Sequence, residues 1–323
     1  MNREMLSSVF ADEIIAYVEY KAASGFKSKA FGTILKKFDQ FCASYEIASH
    51  AFTAEHADEW VKKREDEAHS THYSRINTTK NFLLFLHKKG YDVVVTRDVK
   101  EKRSTFQPHI YSEDEIIRYF EAVDTFDSAM SKKDKIQYPI LFRILYCCGT
   151  RINETLCIRK KDIDLDEGII RLCETKNERE RYIVLGDDLL SLVRQFASKC
   201  FYLLNDGDYV FTRRNGKRLQ GDFIYERHRL FLMKAGIPYL GGWRGPRVHD
   251  WRHTFSVRSF KQMVDAGLDM YVALPILSTY LGHKSIAATE KYVRLTISIF
   301  PYIEEKFKNK LEKVFAEASY EGY

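Results

Sequence analysis

The strongest constraint on the fold is a break in the apolar pattern over residues 95–108. Residues on both sides follow helical spacing, whereas this segment has no periodicity and is rich in Lys, Arg, Ser and Thr. Segments of that composition connect domains rather than fill cores. A chain of 323 residues is also long for one compact core and sufficient for two. We therefore predict a helical domain over residues 1–94, a linker over 95–110, a larger domain over 111–300 and a helical tail over 301–323.

The first domain is predicted to consist of α-helices. Apolar residues three or four positions apart mark its helices, and the last one ends with the cations of His87 and Lys88 just before Gly90. The apolar faces comprise Phe10, Ile14, Tyr17 and Val18, then Phe31, Leu35, Phe38 and Cys42, and finally Ile76, Phe82, Leu83 and Leu86. Such faces pack against one another to form a small helical core.

The second domain is predicted to be helical with one small sheet. Residues 112–115 form a capping box that begins its first helix. Gly149 is expected to end an apolar helix, and Thr150 is expected to cap the next one. Two short segments rich in β-branched residues, 169–173 and 181–185, flank a polar turn and predict a β-hairpin. The predicted fold class is therefore mainly α with a small antiparallel β-sheet.

The amino-acid composition predicts where the protein is located and which kinds of site it lacks. No eighteen apolar residues occur in succession and the N-terminus has no apolar signal segment, so we expect a soluble cytoplasmic protein without a membrane partner. The six cysteines include no Cys-x-x-Cys pair, which argues against a zinc site and favours a reducing compartment. Cys147 and Cys148 are adjacent in an apolar helix and are expected to be buried. We predict neither a metal site nor a cofactor.

Six residues that suit phosphoryl transfer occur in one order along the second domain. They are Arg151, Lys176, His249, Arg252, His283 and Tyr292. A tyrosine phenol attacks only when a base removes its proton and the electrophile is polarised. Two guanidiniums can bind the non-bridging oxygens of a phosphodiester, while a histidine and a lysine can move protons at the attacking and leaving oxygens. A covalent phosphotyrosine conserves the energy of the broken bond, so the reverse step can join another strand without ATP.

The sequences around these residues resemble those of the tyrosine recombinase (phage integrase) family. The segment 149–156 resembles the first arginine box of that family, 175–185 the lysine hairpin, 248–255 the His-x-x-Arg box and 281–292 the final box. The resemblance is close over residues 112–292 and looser in the N-terminal part. It implies a two-domain DNA clamp, in which a helical core-binding domain accompanies a tyrosine recombinase catalytic domain.

The same resemblance implies a role for each residue of the set. The two arginines would bind the scissile phosphate, the lysine would act as general acid, and the tyrosine would form the 3′-phosphotyrosine. His249 would assist proton transfer and His283 would hydrogen-bond the phosphate. Glu154, three positions after the first arginine, would support that arginine. Arg179 and Arg181 lie close enough in sequence to replace the lysine as general acid.

Clusters of basic residues in predicted loops and turns are expected to bind DNA phosphates. The candidates are Lys100, Lys102, Arg103, Arg213, Arg214, Lys217, Arg244 and Arg247. The net charge of +6 is only mildly basic, so local patches rather than the whole surface would meet the DNA. The family resemblance implies double-stranded DNA as the partner and a homotetramer on paired sites, with a dimer on each site. Accessory DNA-bending proteins could take part, and the helical tail would dock on a neighbouring protomer or on its own domain.

The spacing between the last two boxes indicates a branch of the family. It is wider between Arg252 and His283 than in compact chromosome-resolving members, and the segment 273–281 is similar to recombinases of transposons. The sequence therefore favours a recombinase that integrates or excises a mobile element. Two alternatives stay open. One is a chromosome-dimer resolvase or topoisomerase-like enzyme with the same chemistry, and the other is a DNA-binding protein without catalytic activity.

Overall fold

The described residues of the computed structural model form eleven α-helices and one three-stranded antiparallel sheet. The predicted fold class, mainly α with a small antiparallel sheet, is confirmed. The chain divides into two compact units, residues 1–106 and 107–323. The structure describes residues 3–26, 28–47, 50–100, 107–127, 132–173, 180–241, 245–283, Thr289, Tyr292, Leu295, Thr296 and 298–300.

Helices build the core of the first unit. They are α1 (Ala11–Ala23), α2 (Ser28–Ser44), α3 (Ala54–Val61) and α4 (His69–Lys88). Of the predicted apolar residues, Phe31 is partly buried against this core and all the others are buried within it. The indole N–H of Trp60 also has a hydrogen-bond acceptor inside the core, because its Nε1 donates to Thr79 Oγ1 at 3.1 Å. The apolar faces that the sequence marks therefore do pack together.

The second unit begins with the predicted capping box. Ser112 Oγ accepts a hydrogen bond from the Glu115 N–H at 3.1 Å, and the Glu115 carboxylate accepts one from the Ser112 N–H at 2.9 Å. The helices that follow in the described residues are α5 (Glu113–Asp124), α6 (Lys132–Cys147), α7 (Ile152–Leu156), α8 (Asp187–Cys200), α9 (Gly221–Lys234), α10 (Asp250–Asp265) and α11 (Met270–Leu281). Their apolar faces enclose a core that contains Tyr119, Phe142 and Trp251.

The sheet of the second unit contains the predicted hairpin. Its strands are β1 (Ile163–Asp164), β2 (Ile169–Leu172) and β3 (Arg181–Val184), in that spatial order. Ile170 lies opposite Ile183 on the antiparallel pair β2–β3, and both side chains are buried. The sequence pattern does not predict β1, because two residues are too few to show an alternation. Lys176 belongs to the segment 174–179, which lies outside the described residues.

A glycine turn joins α6 to α7 and brings the chain against α10. Gly149 follows the end of α6 as predicted and has a φ of +59°, which residues with a β carbon adopt only under strain. A β carbon at this position would overlap the ring of Phe255 on α10. The prediction that Thr150 caps α7 is wrong, because its buried hydroxyl instead bonds a threonine hydroxyl of α7 at 2.6 Å. The cap position belongs to Arg151, whose N–H donates to the Glu154 carboxylate at 2.9 Å.

The two adjacent cysteines at the end of α6 differ in exposure. Cys148 is buried as predicted, whereas the same prediction for Cys147 is wrong, because its side chain is exposed. Neighbouring positions on a helix point about 100° apart, so a single packed face does not cover both.

Three further predictions concern the C-terminal tail, membrane-spanning helices and metal sites. The predicted tail, residues 301–323, lies outside the described residues. Within the part of the chain that the structure describes, no helix combines the length and apolar character needed to cross a membrane. In the same part, no three His, Cys, Asp or Glu side chains cluster in a way that could hold a metal ion.

One histidine is buried among the aromatic rings between α5 and α9. The Tyr119 hydroxyl lies 2.7 Å from His228 Nδ1, and the Tyr111 hydroxyl lies 3.4 Å from Nε2. Tyr111 also stacks on Trp251 of α10, with ring centres 3.9 Å apart. Burial lowers the pKa of His228 to about 3, because a charged imidazolium would lose its solvation there. The folded protein therefore keeps His228 neutral at neutral pH.

Replacing Gly149 by alanine should destabilise the second unit. A left-handed backbone costs about 1–2 kcal/mol for a residue with a β carbon, and overpacking against Phe255 adds roughly 1–3 kcal/mol. We expect the free energy of unfolding, measured in urea, to fall by about 2–5 kcal/mol. Gly216→Ala is the matched control, since Gly216 has a φ of +74° but no neighbouring atom within 4 Å of a β carbon. Equal losses in the two variants would contradict the role of the Phe255 contact.

Acid should destabilise the wild type more than a His228→Gln variant. Unfolded histidine binds a proton near its ordinary pKa, while folded His228 does so only near pH 3, so protons favour the unfolded chain. The contribution of neutral His228 is thus complete above pH 6.5 and is lost as pH falls from 6.5 towards 3. When the pH is lowered from 7.5 to 5, the free energy of unfolding measured in urea should fall by up to about 2 kcal/mol more in the wild type than in the variant. An identical loss in both proteins would refute the assignment.

Candidate active site

Arg252 connects three segments of the second unit. It lies in the first turn of α10 and is 1% exposed. Its Nη1 donates to the Gly149 carbonyl oxygen at 2.7 Å, and its Nη2 donates to the Leu281 carbonyl oxygen at 2.6 Å. Nη2 also lies 3.1 Å from Nε2 of His283. One guanidinium therefore joins α10 to the turn after α6 and to the end of α11.

The charge of Arg252 is held in an unfavourable environment. Burial, followed by the positive charge of Arg151, lowers the pKa of Arg252 to about 10. The side chain still stays protonated at neutral pH. Because Coulomb interactions strengthen as water is excluded, an anion placed beside this guanidinium would be bound more strongly than at an exposed arginine.

Two arginines share the carboxylate of Glu154, which is itself buried. Arg151 Nη1 donates to Oε1 at 2.6 Å, and Arg181 Nη2 donates to Oε2 at 2.8 Å. Burial alone would raise the pKa of Glu154, but the hydrogen bond and charge of Arg181, together with Arg151, outweigh burial and lower that pKa to about 2. Glu154 is therefore ionised in the fold and fixes Arg151 at the start of α7.

The contact of Arg181 with Glu154 is not predicted from the sequence. A signal for it nevertheless exists in the alternation of strand β3. Arg181 shares a strand face with buried Ile183, whereas Tyr182 and Val184 point to the exposed face. A charged residue on the buried face of a strand requires a partner of opposite charge. That argument would have identified Arg181 as part of the site.

His283 lies between Arg252 and Thr289. Its Nδ1 is 2.7 Å from Thr289 Oγ1, while its Nε2 faces the guanidinium. A guanidinium can only donate hydrogen bonds, so Nε2 must accept from Arg252. The proton of the neutral ring then resides on Nδ1 and is donated to Thr289. His283 is therefore the tautomer protonated on Nδ1, and the lone pair of its Nε2 points towards the Arg252 guanidinium.

Tyr292 packs beside these residues rather than on the surface. It is 1% exposed and belongs to an apolar cluster with Val257, Leu277 and Leu281. Its ring lies nearly parallel to that of His283, with centres 6.0 Å apart and planes inclined by 9°. Burial raises the pKa of Tyr292, and the charge of Arg252 acts in the opposite direction. The phenol is therefore protonated at neutral pH.

His249 precedes α10 and is exposed, unlike its described companions in the predicted set. Its ring meets the ring of His253 edge-on, with centres 4.9 Å apart, and the His253 ring centre lies 5.4 Å from that of Tyr292. His249 also borders a cavity of about 540 Å³, whose lining includes Tyr225, Arg229, Tyr239, Pro246 and Arg247. A row of rings thus connects the surface at His249 with buried Tyr292.

Three of the predicted DNA-binding residues lie on one tight turn. The Arg213 N–H donates to the Lys217 carbonyl oxygen at 2.8 Å, which closes the turn. Arg214 and Lys217 are exposed, and the Arg213 guanidinium lies over the Phe223 ring at 4.0 Å from its centre. The turn therefore presents two exposed cationic side chains to solvent and holds a third against an aromatic ring.

The remaining predicted DNA-binding residues have different surroundings. Lys100, in the first unit, is exposed. Arg247 instead binds a buried carboxylate, because its Nη2 donates to Asp250 Oδ1 at 3.0 Å. Its charge is thus partly neutralised within the fold. Three further candidates lie outside the described residues, namely Lys102, Arg103 and Arg244.

Comparison with known proteins identifies relatives along most of the chain. The putative integrase/recombinase y4rB of Sinorhizobium fredii is 25% identical over 297 residues, which cover 88% of this chain and 93% of that protein. Tyrosine recombinase XerC of Staphylococcus saprophyticus is 24% identical over 273 residues, which cover 83% of this chain and 86% of the relative.

Solved structures have the same fold at low sequence identity. The Tn1549 transposon integrase in complex with transposon right end DNA gives a TM-score of 0.65 at 14% identity, covering 87% of this chain and 93% of the other. The XerH site-specific recombinase bound to palindromic difH substrate, in a post-cleavage complex, gives a TM-score of 0.62 at 18% identity, covering 82% of this chain and 75% of the other. The model of the phage integrase family matches residues 111–298, which is more than half of the sequence. This protein therefore belongs to the phage integrase family, the family of the tyrosine recombinases.

Proposed function

We propose that this protein is a site-specific DNA recombinase that cleaves and rejoins DNA strands through a covalent 3′-phosphotyrosine at Tyr292. One observation carries the proposal: the guanidinium of Arg252 contacts His283, whose ring lies parallel to that of Tyr292. Membership of the phage integrase family supports the same chemistry. Residues 1–94 would bind DNA, and residues 111–300 would carry out the reaction.

The charges of the site suit a phosphodiester. Arg151, Arg181 and Arg252 contribute three positive charges and Glu154 contributes one negative charge, so the net charge is 3 − 1 = +2. Attack of a tyrosinate on a phosphodiester gives a phosphorane with two negative charges on its non-bridging oxygens. Three of the five N–H donors of the Arg252 guanidinium contact Gly149, Leu281 and His283, and the guanidinium also hydrogen-bonds the Tyr292 side chain. A phosphate oxygen would take a remaining donor or the place of the phenol.

Proton transfer would be divided among the remaining residues. His249 would assist removal of the phenolic proton of Tyr292, and it lies one ring away, because the His253 ring contacts both the His249 and the Tyr292 rings. Lys176 would protonate the leaving 5′ oxygen. Arg181 does not suit that role, because its guanidinium is bound to Glu154 and arginine is not deprotonated in proteins. Tyr292 must leave its buried position before its oxygen can reach a phosphate.

The proposed assembly is a homotetramer on two DNA sites, with a dimer on each. Exposed Arg214, Lys217 and Lys100 would contact the phosphate backbone of double-stranded DNA. For the biological role we favour integration or excision of a mobile element, because the chain has the fold of a transposon integrase and carries a long segment between Arg252 and His283. The second candidate is a chromosome-dimer resolvase, which the similarity to relatives named XerC favours.

A Tyr292→Phe variant should bind DNA almost normally and form no covalent adduct, because it lacks only the nucleophilic oxygen. Nicked suicide duplexes taken from DNA that flanks the gene would be incubated with each protein in EDTA. Denaturing gels should reveal a wild-type adduct at a 3′ end and none for the variant. Tyr271→Phe is the matched control, since Tyr271 is exposed on α11 and should give a wild-type adduct. Equal adduct yields from wild type and Tyr292→Phe would end the assignment of the nucleophile.

Replacement of Arg252 by lysine should slow cleavage on the order of a hundredfold or more. Lysine keeps the charge but cannot donate from a planar fork to a carbonyl and a phosphate oxygen together. It is preferable to alanine, which would leave the carbonyls of Gly149 and Leu281 without their donor. Single-turnover adduct formation measures the effect, and thermal melting reports the fold. A folded Arg252→Lys protein with the wild-type rate would refute the phosphate contact.

A further inference from the structure

Arg181 occupies a position from which it can control the first phosphate-binding arginine. It begins strand β3, and its side chain is only 11% exposed. Its Nη2 donates to Glu154 Oε2, while Arg151 holds the other oxygen of the same carboxylate. The two guanidiniums therefore bind opposite sides of one anion.

The rest of the Arg181 side chain is directed towards the turn that precedes His283. A β carbon at Gly282 would lie 3.4 Å from both Nη1 and Cδ of Arg181. In the part of the chain that the structure describes, neither Nε nor Nη1 of Arg181 has a hydrogen-bond partner, although both are buried. A buried guanidinium with unused donors costs stability compared with an apolar residue of similar size. Its position therefore calls for a role other than stabilising the sheet.

The charges of Arg151, Arg181 and Glu154 suggest what the role of Arg181 is. If Arg151 alone faced Glu154, the pair would be neutral and the arginine would attract a phosphate only weakly. With Arg181 on the second carboxylate oxygen, the group of three carries a net positive charge, and Glu154 still orients Arg151. We propose that Arg181 is a positioning residue for catalysis, which shares Glu154 with Arg151 and so keeps Arg151 both oriented and electrostatically available for the scissile phosphate. This inference rests on the proposed function.

The test compares single-turnover adduct formation by full-length variants on the duplex that wild type cleaves. Arg181→Ala should slow cleavage on the order of ten- to a hundredfold, because the remaining Arg151–Glu154 pair becomes neutral and Glu154 loses one of the contacts that fix it. Arg181→Lys should recover part of the rate by restoring the charge. Arg171→Ala is the matched control, since Arg171 on neighbouring strand β2 also pairs with a buried carboxylate, Asp162. It should cleave within about twofold of wild type, as expected for a half-exposed ion pair away from the site.

A modified substrate separates charge from folding. Replacing the scissile phosphate by a neutral methylphosphonate removes one negative charge that the arginines must match. The Arg181→Ala defect should shrink to within about threefold on that substrate, and it should also shrink in an Arg151→Ala background, because contacting residues are not additive. A purely structural role would instead give the same loss on both substrates and in both backgrounds.

The outcomes distinguish this inference from the proposed function. No wild-type adduct on any duplex overturns the proposed function and the inference with it. A wild-type adduct together with an unaffected Arg181→Ala rate, or with a loss that is equal on phosphate and methylphosphonate, overturns the inference alone. Should Arg181→Ala fail to fold by thermal melting, the same comparison is made with Arg181→Lys, whose smaller defect must still depend on the substrate charge.

Discussion

The candidate site depends on the burial of one positive charge. Arg252 is placed in the interior by α10, and its guanidinium is satisfied there by carbonyl oxygens from the ends of two other segments. Those dipoles stabilise the cation without cancelling its charge. The turn after α6 can approach α10 closely enough only because Gly149 lacks a β carbon. The position of the Arg252 side chain thus depends on the backbone geometry at Gly149, on the packing of α10 and on the hydrogen bonds to its charge.

A carboxylate at the centre of the proposed anion-binding site has a clear physical use. Three arginines of like charge would otherwise repel one another, and their long side chains would adopt many rotamers. Glu154 reduces that repulsion and fixes two guanidiniums at hydrogen-bond distance. Since its pKa is about 2, the carboxylate retains its charge across the physiological range. The two guanidiniums are therefore preorganised for the phosphate that we propose they bind.

Local sequence patterns predicted the elements that local forces determine. The capping box at Ser112 and the hairpin strands β2 and β3 depend on neighbouring residues and were found. The cap of α7 was predicted wrongly, because tertiary packing around Gly149 decides it. The burial of Cys147 was predicted wrongly, because one packed face of a helix does not cover two adjacent positions. The contact of Arg252 with the Gly149 carbonyl joins residues far apart in sequence, so no local pattern contains it. The order of the site residues predicts a phosphoryl-transfer chemistry, which stays a prediction, and it does not indicate which of them are buried.

For Tyr292 as the proposed nucleophile, burial has a thermodynamic consequence for the timing of cleavage. A reaction that proceeds only from a minor open conformation is slowed by the fraction of molecules in that conformation. Each 1.4 kcal/mol needed to uncover the phenol lowers the rate about tenfold, and a partner that prefers the open form restores it by the same factor. In the proposed mechanism, the apolar contacts around Tyr292 therefore add a free-energy barrier to strand breakage, and DNA would lower that barrier only by binding the uncovered conformation more tightly.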